Sequence, residues 1–174
     1  MGVRCVAILG VLALALAAPV VAQTEERVVK MVTPLTPKLR AIARTYYLND
    51  PETIKDFPDR EQRLAAIDTL EGAFADLDDD GQPEAFLRES GLINDCGTQG
   101  CWVMVLKKDR RSWHVLGAFM DKNNEFSVVP QKKGGFHLIK TYYDPHYDEA
   151  FVKWDGKQFI SDDEANNFRD LSGR

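Results

Sequence analysis

Trp102-Val103-Met104-Val105-Leu106-Lys107-Lys108-Asp109-Arg110-Arg111-Ser112-Trp113-His114-Val115-Leu116-Gly117-Ala118-Phe119 holds the grammar that sets the fold. Trp102 to Leu106 is apolar on both faces of an extended chain, which predicts a central strand. Lys107 to Arg111 is a polar turn. Trp113, Val115, Gly117 and Phe119 then alternate with His114, Leu116 and Ala118, so the next strand carries one bulkier, more aromatic face. The same grammar holds from about Leu70 to the end: short apolar runs are broken every eight to twelve residues by turn residues, the pattern of a β-meander or small sandwich. Strands are expected over 70–76, 85–90, 102–107, 113–119, 125–129, 136–141, 149–154 and 158–160. Asp155-Gly156 is the strongest hairpin signal.

Upstream of Leu70 the period changes. Thr36 can cap a helix whose first residue is Pro37, and Leu39, Ile42, Ala43 and Tyr46 then share one face. Asn49-Asp50-Pro51 stops that helix. Asp56-Phe57-Pro58 is a bend, and Asp59 with Gln62 forms a capping-box arrangement ahead of Leu64 and Ile67. The expected fold is α+β, with N-terminal helices followed by a predominantly antiparallel β-meander of about seven or eight strands. Residues 36–174 form one domain, and 23–35 are a flexible lead-in.

Residues 1–22 read as a signal peptide. Arg4 supplies the positive charge, Cys5 to Val21 is uncharged and apolar, and Val20-Val21-Ala22 presents small residues before Gln23. The run falls short of the roughly 20 residues a membrane-spanning helix needs. Cys5 precedes the apolar run, where a lipid-attachment cysteine would have to follow it. The expected destination is periplasmic or secreted, with no transmembrane segment after cleavage. Of 174 residues, 44% are hydrophobic and 28% charged, yet much of the hydrophobic share lies in this leader. Cleavage removes Arg4 alone among the charged residues, leaving 21 basic and 27 acidic side chains on 152 residues. An acidic chain of this kind has no electrostatic footprint for nucleic acid.

Cys96 and Cys101 remain, spaced as Cys-Gly-Thr-Gln-Gly-Cys. In an oxidising compartment such a pair is expected to form a disulfide. A ring of about six residues stabilises by roughly 2 kcal/mol in the loop-entropy view, so the bond pins a loop and does not hold the whole fold. A redox pair or zinc half-site would call for closer thiols or a second Cys/His pair.

Asp76-Leu77-Asp78-Asp79-Asp80-Gly81-Gln82-Pro83-Glu84 is the most specific chemistry in the chain. Asp76, Asp78 and Asp80 alternate ahead of a glycine, a spacing that wraps hard oxygen ligands around one cation, and calcium suits it best. Gly81 permits the reversal, the Gln82 carbonyl can face inward, and Glu84 can close the shell, with Asp79 pointing outward. The alternative is an acidic solvated turn. The position where an EF-hand needs a bidentate acid is Leu87, so that motif is excluded. The loop resembles the calcium hairpins of integrin-like FG-GAP repeats, with Glu84 in place of the last Asp. It is similar, too, to a hairpin of small bacterial exported proteins in which a Cys-Gly-x-x-Gly-Cys segment follows, here Cys96 to Cys101. The resemblance implies a calcium-stabilised β-hairpin and carries no activity with it.

If successive strands alternate in direction, the turns at Asp78, Lys107–Arg111, Gln131–Gly134 and Asp155 share one end. The Cys96–Cys101 loop, the Asp121–Asn124 turn and the Tyr142–Tyr147 loop share the other. Tyr142, Tyr143, His146 and Tyr147 form a candidate partner-binding surface, since tyrosine offers a rigid face with a hydroxyl rim; the alternative is a hairpin turn around Asp144-Pro145. Lys107, Lys108, Arg110 and Arg111 read as a solvated basic tip, with Lys132 and Lys133 on another turn, or else as a patch for an acidic partner. His114, His137 and His146 are scattered and no nucleophile elbow, phosphate loop or dinucleotide fingerprint occurs. The function expected is a calcium-binding, non-enzymatic binding or accessory module that meets an envelope protein. A metal-dependent hydrolase using the acidic loop, or a purely structural envelope component, is the alternative.

Overall fold

The computed structural model describes residues 25–89, 96–97, 100–110, 112–142 and 149–161. The leader assigned to residues 1–22 lies outside them, as do Tyr143, His146 and Tyr147. In chain order the elements are β1 (Arg27–Lys30), α1 (Pro37–Tyr47), α2 (Pro51–Asp56), α3 (Arg60–Ile67), β2 (Glu71–Ala75), β3 (Glu84–Arg88), β4 (Cys101–Asp109), β5 (Ser112–Asp121), β6 (Glu125–Lys133), β7 (Phe136–Tyr142), β8 (Glu149–Trp154) and β9 (Phe159–Ser161). The class is α+β, with short helices and a dominant sheet.

The helices begin where polar side chains satisfy their free N–H groups. Thr36 Oγ1 accepts the Leu39 N–H at 3.3 Å and Pro37 takes the first helical position. Asn49-Asp50-Pro51 ends α1, as expected, but it also starts α2: the Asp50 carboxylate accepts the Thr53 N–H at 2.8 Å and Pro51 opens the helix. α2 buries none of its side chains and so leaves no apolar period to read. Asp59 caps α3 through the Glu61 N–H at 2.8 Å.

All nine strands join one sheet in the order β1-β6-β7-β8-β9-β5-β4-β3-β2. Its edge strands meet at Val32 and Gly72, which exchange two backbone hydrogen bonds of 3.0 Å, so the sheet curls into a nearly closed barrel. Two expectations change here. The segment 23–35 is not only a lead-in, because Arg27–Lys30 pairs antiparallel with Glu125–Val128. The chain is also not a simple meander: β5 pairs with β4 and, in parallel, with β9, and not with β6. Gly117 is the local reason. Its φ is +146° and a Cβ there would stand 2.7 Å from the Phe159 nitrogen, so only glycine admits β9 at this distance. Strand direction still alternates from β2 onward, which is why β9 returns parallel to β5.

Two cores follow from the alternation of side chains. The barrel interior takes a residue or more from every strand, including Val29, Ala73, Phe86, Val105, Phe119, Val128, Ile139, Val152 and Phe159. The outer face of β3 and β4 packs against the helices through Ala85, Leu87, Met104 and Leu106, which meet Leu39, Ile42, Tyr47 and Ile67. β3 is therefore buried on both faces, and the central position expected for Trp102–Leu106 is realised in β4. Each fully buried Val, Leu or Phe contributes about 1.5–3 kcal/mol, so the two cores outweigh any one ion pair and hold the rims where the polar chemistry lies.

Candidate functional site: an acidic rim with lysines in it

The loop between β2 and β3 is shaped by its own carboxylates. Asp76 accepts the Asp79 N–H at 2.8 Å through one oxygen and the Gly81 N–H at 2.9 Å through the other. Asp78 Oδ1 accepts the Asp80 N–H at 3.3 Å, and Asp80 Oδ1 accepts the Gln82 N–H at 2.7 Å. Glu84, fully buried at the start of β3, accepts the Leu77 N–H at 2.8 Å. Gly81 makes the reversal at φ +79°.

The oxygens left over converge on one ammonium group. Lys107 Nζ lies 2.6 Å from Asp78 Oδ2, 3.0 Å from Asp80 Oδ2 and 2.8 Å from Glu84 Oε1. Register explains its arrival: Leu106 pairs with Ala85, so the next residue of β4 runs alongside Glu84. Lys107 is thus not part of a solvated tip. Burial works against its charge, but Asp78, Glu84 and Asp80 together hold it protonated well above the usual lysine range. Burial pushes the Glu84 carboxyl up, against the pull of Lys107 and the Leu77 N–H. Asp80 also feels burial, but the Gln82 N–H and Lys107 outweigh it and bring its carboxyl below the usual range.

Asp79 departs from expectation. Rather than pointing outward, its side chain turns onto the barrel, where it meets Lys132 Nζ at 2.5 Å and His137 Nε2 at 3.2 Å from both oxygens. The backbone at Asp79 has φ +64°, the left-handed conformation that aspartate tolerates better than most residues, and this re-aims the carboxylate. Lys132, with help from His137, keeps Asp79 below the usual carboxylate range. His137 is 1% exposed, and its Nδ1 lies 2.9 Å from the Val129 carbonyl oxygen. Both of its partners are acceptor oxygens, the Val129 carbonyl on one nitrogen and the Asp79 carboxylate on the other. A register shift between Val128 and Lys132, around Pro130, which has no N–H to give the ladder, places that carbonyl beside the ring.

Of the residues expected to hold a cation, Asp76, Asp78 and Glu84 offer oxygens within 4.8 Å of one another, and Asp80 joins through Lys107. Gln82 is exposed, with its N–H on Asp80. Three carboxylates at this spacing could hold a metal ion. Lys107 Nζ contacts two of the three, Asp78 and Glu84. Lys107 and Lys132 balance two of the five loop carboxylates, which leaves the loop itself with an excess of negative charge.

The opposite rim holds the second expected group. Cys96 and Cys101 are disulfide-bonded. Gly100 packs against the Asp121 carbonyl, and the Lys122 N–H donates to the Tyr142 carbonyl at 2.9 Å, so the expected sharing of one end by these turns holds among the described residues. Asp121, expected in a turn, is the last residue of β5. It is 0% exposed, Oδ1 accepts from Thr141 Oγ1 at 3.1 Å, and Oδ2 has no hydrogen-bond partner. Burial pushes its carboxyl up to about 6, although Thr141 and the charge of Arg88 act downward. Arg88 itself pairs with Glu71 at 2.7 Å.

No protein family matches the chain, and neither a curated protein nor a solved structure does so. No helix among the described residues is long and apolar enough to cross a membrane.

Proposed function

We propose that this protein is an exported, calcium-binding, non-enzymatic binding or accessory module of the cell envelope, periplasmic or secreted, in which a cation at the barrel rim sets the conformation of the Asp76–Glu84 loop. One observation supports it above the others: Asp78, Asp80 and Glu84 meet at Lys107, Asp76 offers an oxygen within 4.8 Å of those of Asp78 and Glu84, and the single charge of Lys107 leaves most of theirs unbalanced. A divalent ion balances more of that charge than an ammonium does. Lys107 sits at the open end of β4 with its side chain 26% exposed, so it can swing outward as calcium enters. The hairpin setting, with the loop between paired strands β2 and β3, supports the FG-GAP-like reading of the motif.

A second reading has its own observation. Lys107 within 3.0 Å of three carboxylates is itself a resident cation, which makes the rim a purely structural salt-bridge cluster. Titration calorimetry with calcium separates the two. The calcium reading expects one site with a dissociation constant of about 10⁻⁴–10⁻³ M, the range of extracellular modules, abolished by combining Asp76→Asn with Asp78→Asn. Absence of binding at about 10 mM calcium leaves the lysine cluster. Affinity capture from an envelope extract, with and without calcium, then tests the accessory role: recovery of one stoichiometric partner supports it, and recovery of none counts against it.

A further inference from the structure

The barrel closes incompletely. Among the described residues, backbone hydrogen bonds join β1 to β2 only at the Val32–Gly72 pair. At the other end a side chain spans the gap, Arg27 donating to the Asp76 carbonyl at 3.4 Å. Between them lies a cavity of about 340 Å³ bordered by Val28, Lys30, Val32, Thr36 and Phe74. Pairing alternates along a strand, so the register with β6 turns the N–H and C=O of Val28 and Lys30 away from β6, and the register with β3 turns those of Phe74 away from β3. All three face the seam.

Its outer border is apolar and basic. Val28 is 55% and Val32 43% exposed, two of the most exposed large apolar residues described. Lys30 and Lys38 are exposed and make no ion pair among the described residues, and Lys38 lies 4.5 Å over the Phe74 ring. Glu26 and Glu71, the acids nearest in sequence to the two edges, are engaged by Lys140 at 2.7 Å and Arg88 at 2.7 Å. An uncovered strand edge is a template for another strand, and charge decides which one.

We propose that the β1–β2 seam receives an extended acidic segment of another protein as an added strand. Its backbone pairs with Val28 and Lys30, its apolar residues lie beside Val28 and Val32, and its carboxylates meet Lys30 and Lys38. Side chains facing the barrel interior must be small, because Val29, Met31, Ala73 and Ala75 already fill it. The proposal rests on the binding-module part of the reading above and not on calcium.

The probe is a fluorescein-labelled Ala-Val-Ala-Glu-Ala-Val-Ala-Glu peptide, followed by anisotropy with the full chain in chelator, so that a failure of calcium binding does not enter. Expected are saturable binding, at least a tenfold loss with Lys30→Glu plus Lys38→Glu, at least a tenfold loss when the peptide's Glu residues are replaced by Lys, and slowed hydrogen exchange at the Val28 and Lys30 amides. Absence of binding at millimolar peptide, or equal binding to the charge-reversed variant, overturns the proposal. So does binding that emerges only when Asp162, Asp163 and Glu164 are changed to amides, which assigns the seam to the chain's own C-terminal segment. Concentration-dependent self-association that Lys30→Glu plus Lys38→Glu dissolves, without peptide binding, assigns it to a second copy and equally overturns it.

Discussion

At one end of the barrel Asp79 and Asp80 stand within hydrogen-bond reach of Lys132 and Lys107, and their carboxyls are held below the usual range. At the other end Asp121 is fully buried with one oxygen unpartnered, and its carboxyl is pushed up to about 6. The residue type is the same and the supply of counter-charge differs. At Asp79 and Asp80 the lysines and the N–H donors outweigh burial, whereas at Asp121 burial outweighs Thr141 and the charge of Arg88. The acidic rim is consequently held by ion pairs, whereas the opposite rim carries a covalent bond.

The sharpest way to break that contrast is Glu84→Ala. Glu84 anchors both the Leu77 N–H and Lys107 from a fully buried position, and leaving the buried Leu77 N–H without its acceptor costs about 1–3 kcal/mol. Urea unfolding should show that loss, with a smaller one for Glu84→Gln, which keeps an acceptor for Leu77. A loss well under 1 kcal/mol for the alanine variant would mean that the rim is not held by this carboxylate.

Next comes the pH dependence of Asp121. Its folded value lies above the roughly 3.9 of an unfolded chain, so the folded state holds the proton more tightly. Its contribution is therefore fully present below about pH 4 and is lost as pH rises through about 6, a decline of about 3 kcal/mol at about 1.4 kcal/mol per pH unit. Asp121→Asn should remove that slope and raise stability near pH 7 relative to the parent. An unchanged slope in the variant would show that Asp121 is ionised without penalty.

Breaking the covalent tie with Cys96→Ser plus Cys101→Ser should cost about 2 kcal/mol and leave calcium binding unchanged, since the disulfide and the acidic loop lie at opposite rims. Smallest is Asp79→Asn, at about 1 kcal/mol because Asp79 and Lys132 keep some solvent contact. The sign is opposite to that of Asp121. A lowered carboxyl stabilises above the unfolded value and loses this as pH falls, so the variant and parent should converge in acid.

What could be read from the chain follows the range of each interaction. The Asp76–Glu84 loop was legible because its alternation and its glycine lie within nine residues. Lys107, Lys132 and His137 were not, since 23 to 58 residues separate them from the acids they meet, and only sheet register brings them there. The signal that was available is the position of Lys107 at the end of an apolar strand, which would face Glu84 once β3 and β4 are paired. β1 escaped because four residues pair with a strand almost a hundred positions away. Gly117 in the middle of a strand pattern was the one local hint that the meander breaks. Asp121 looked like turn chemistry because Asn123 and Asn124 follow it, and nothing local announces burial.

The central claim is that the acidic rim is a cation site whose occupant can be exchanged for calcium. Thermal unfolding of chelator-stripped protein against added calcium tests it most directly. A site that binds only the folded state raises stability by about 2.7 kcal/mol at a hundredfold excess over its dissociation constant. The expected result is a melting temperature that climbs by several degrees with calcium and stays flat when Asp76→Asn and Asp78→Asn are combined. A flat parent curve through millimolar calcium would contradict the claim and leave Lys107 as the rim's permanent cation.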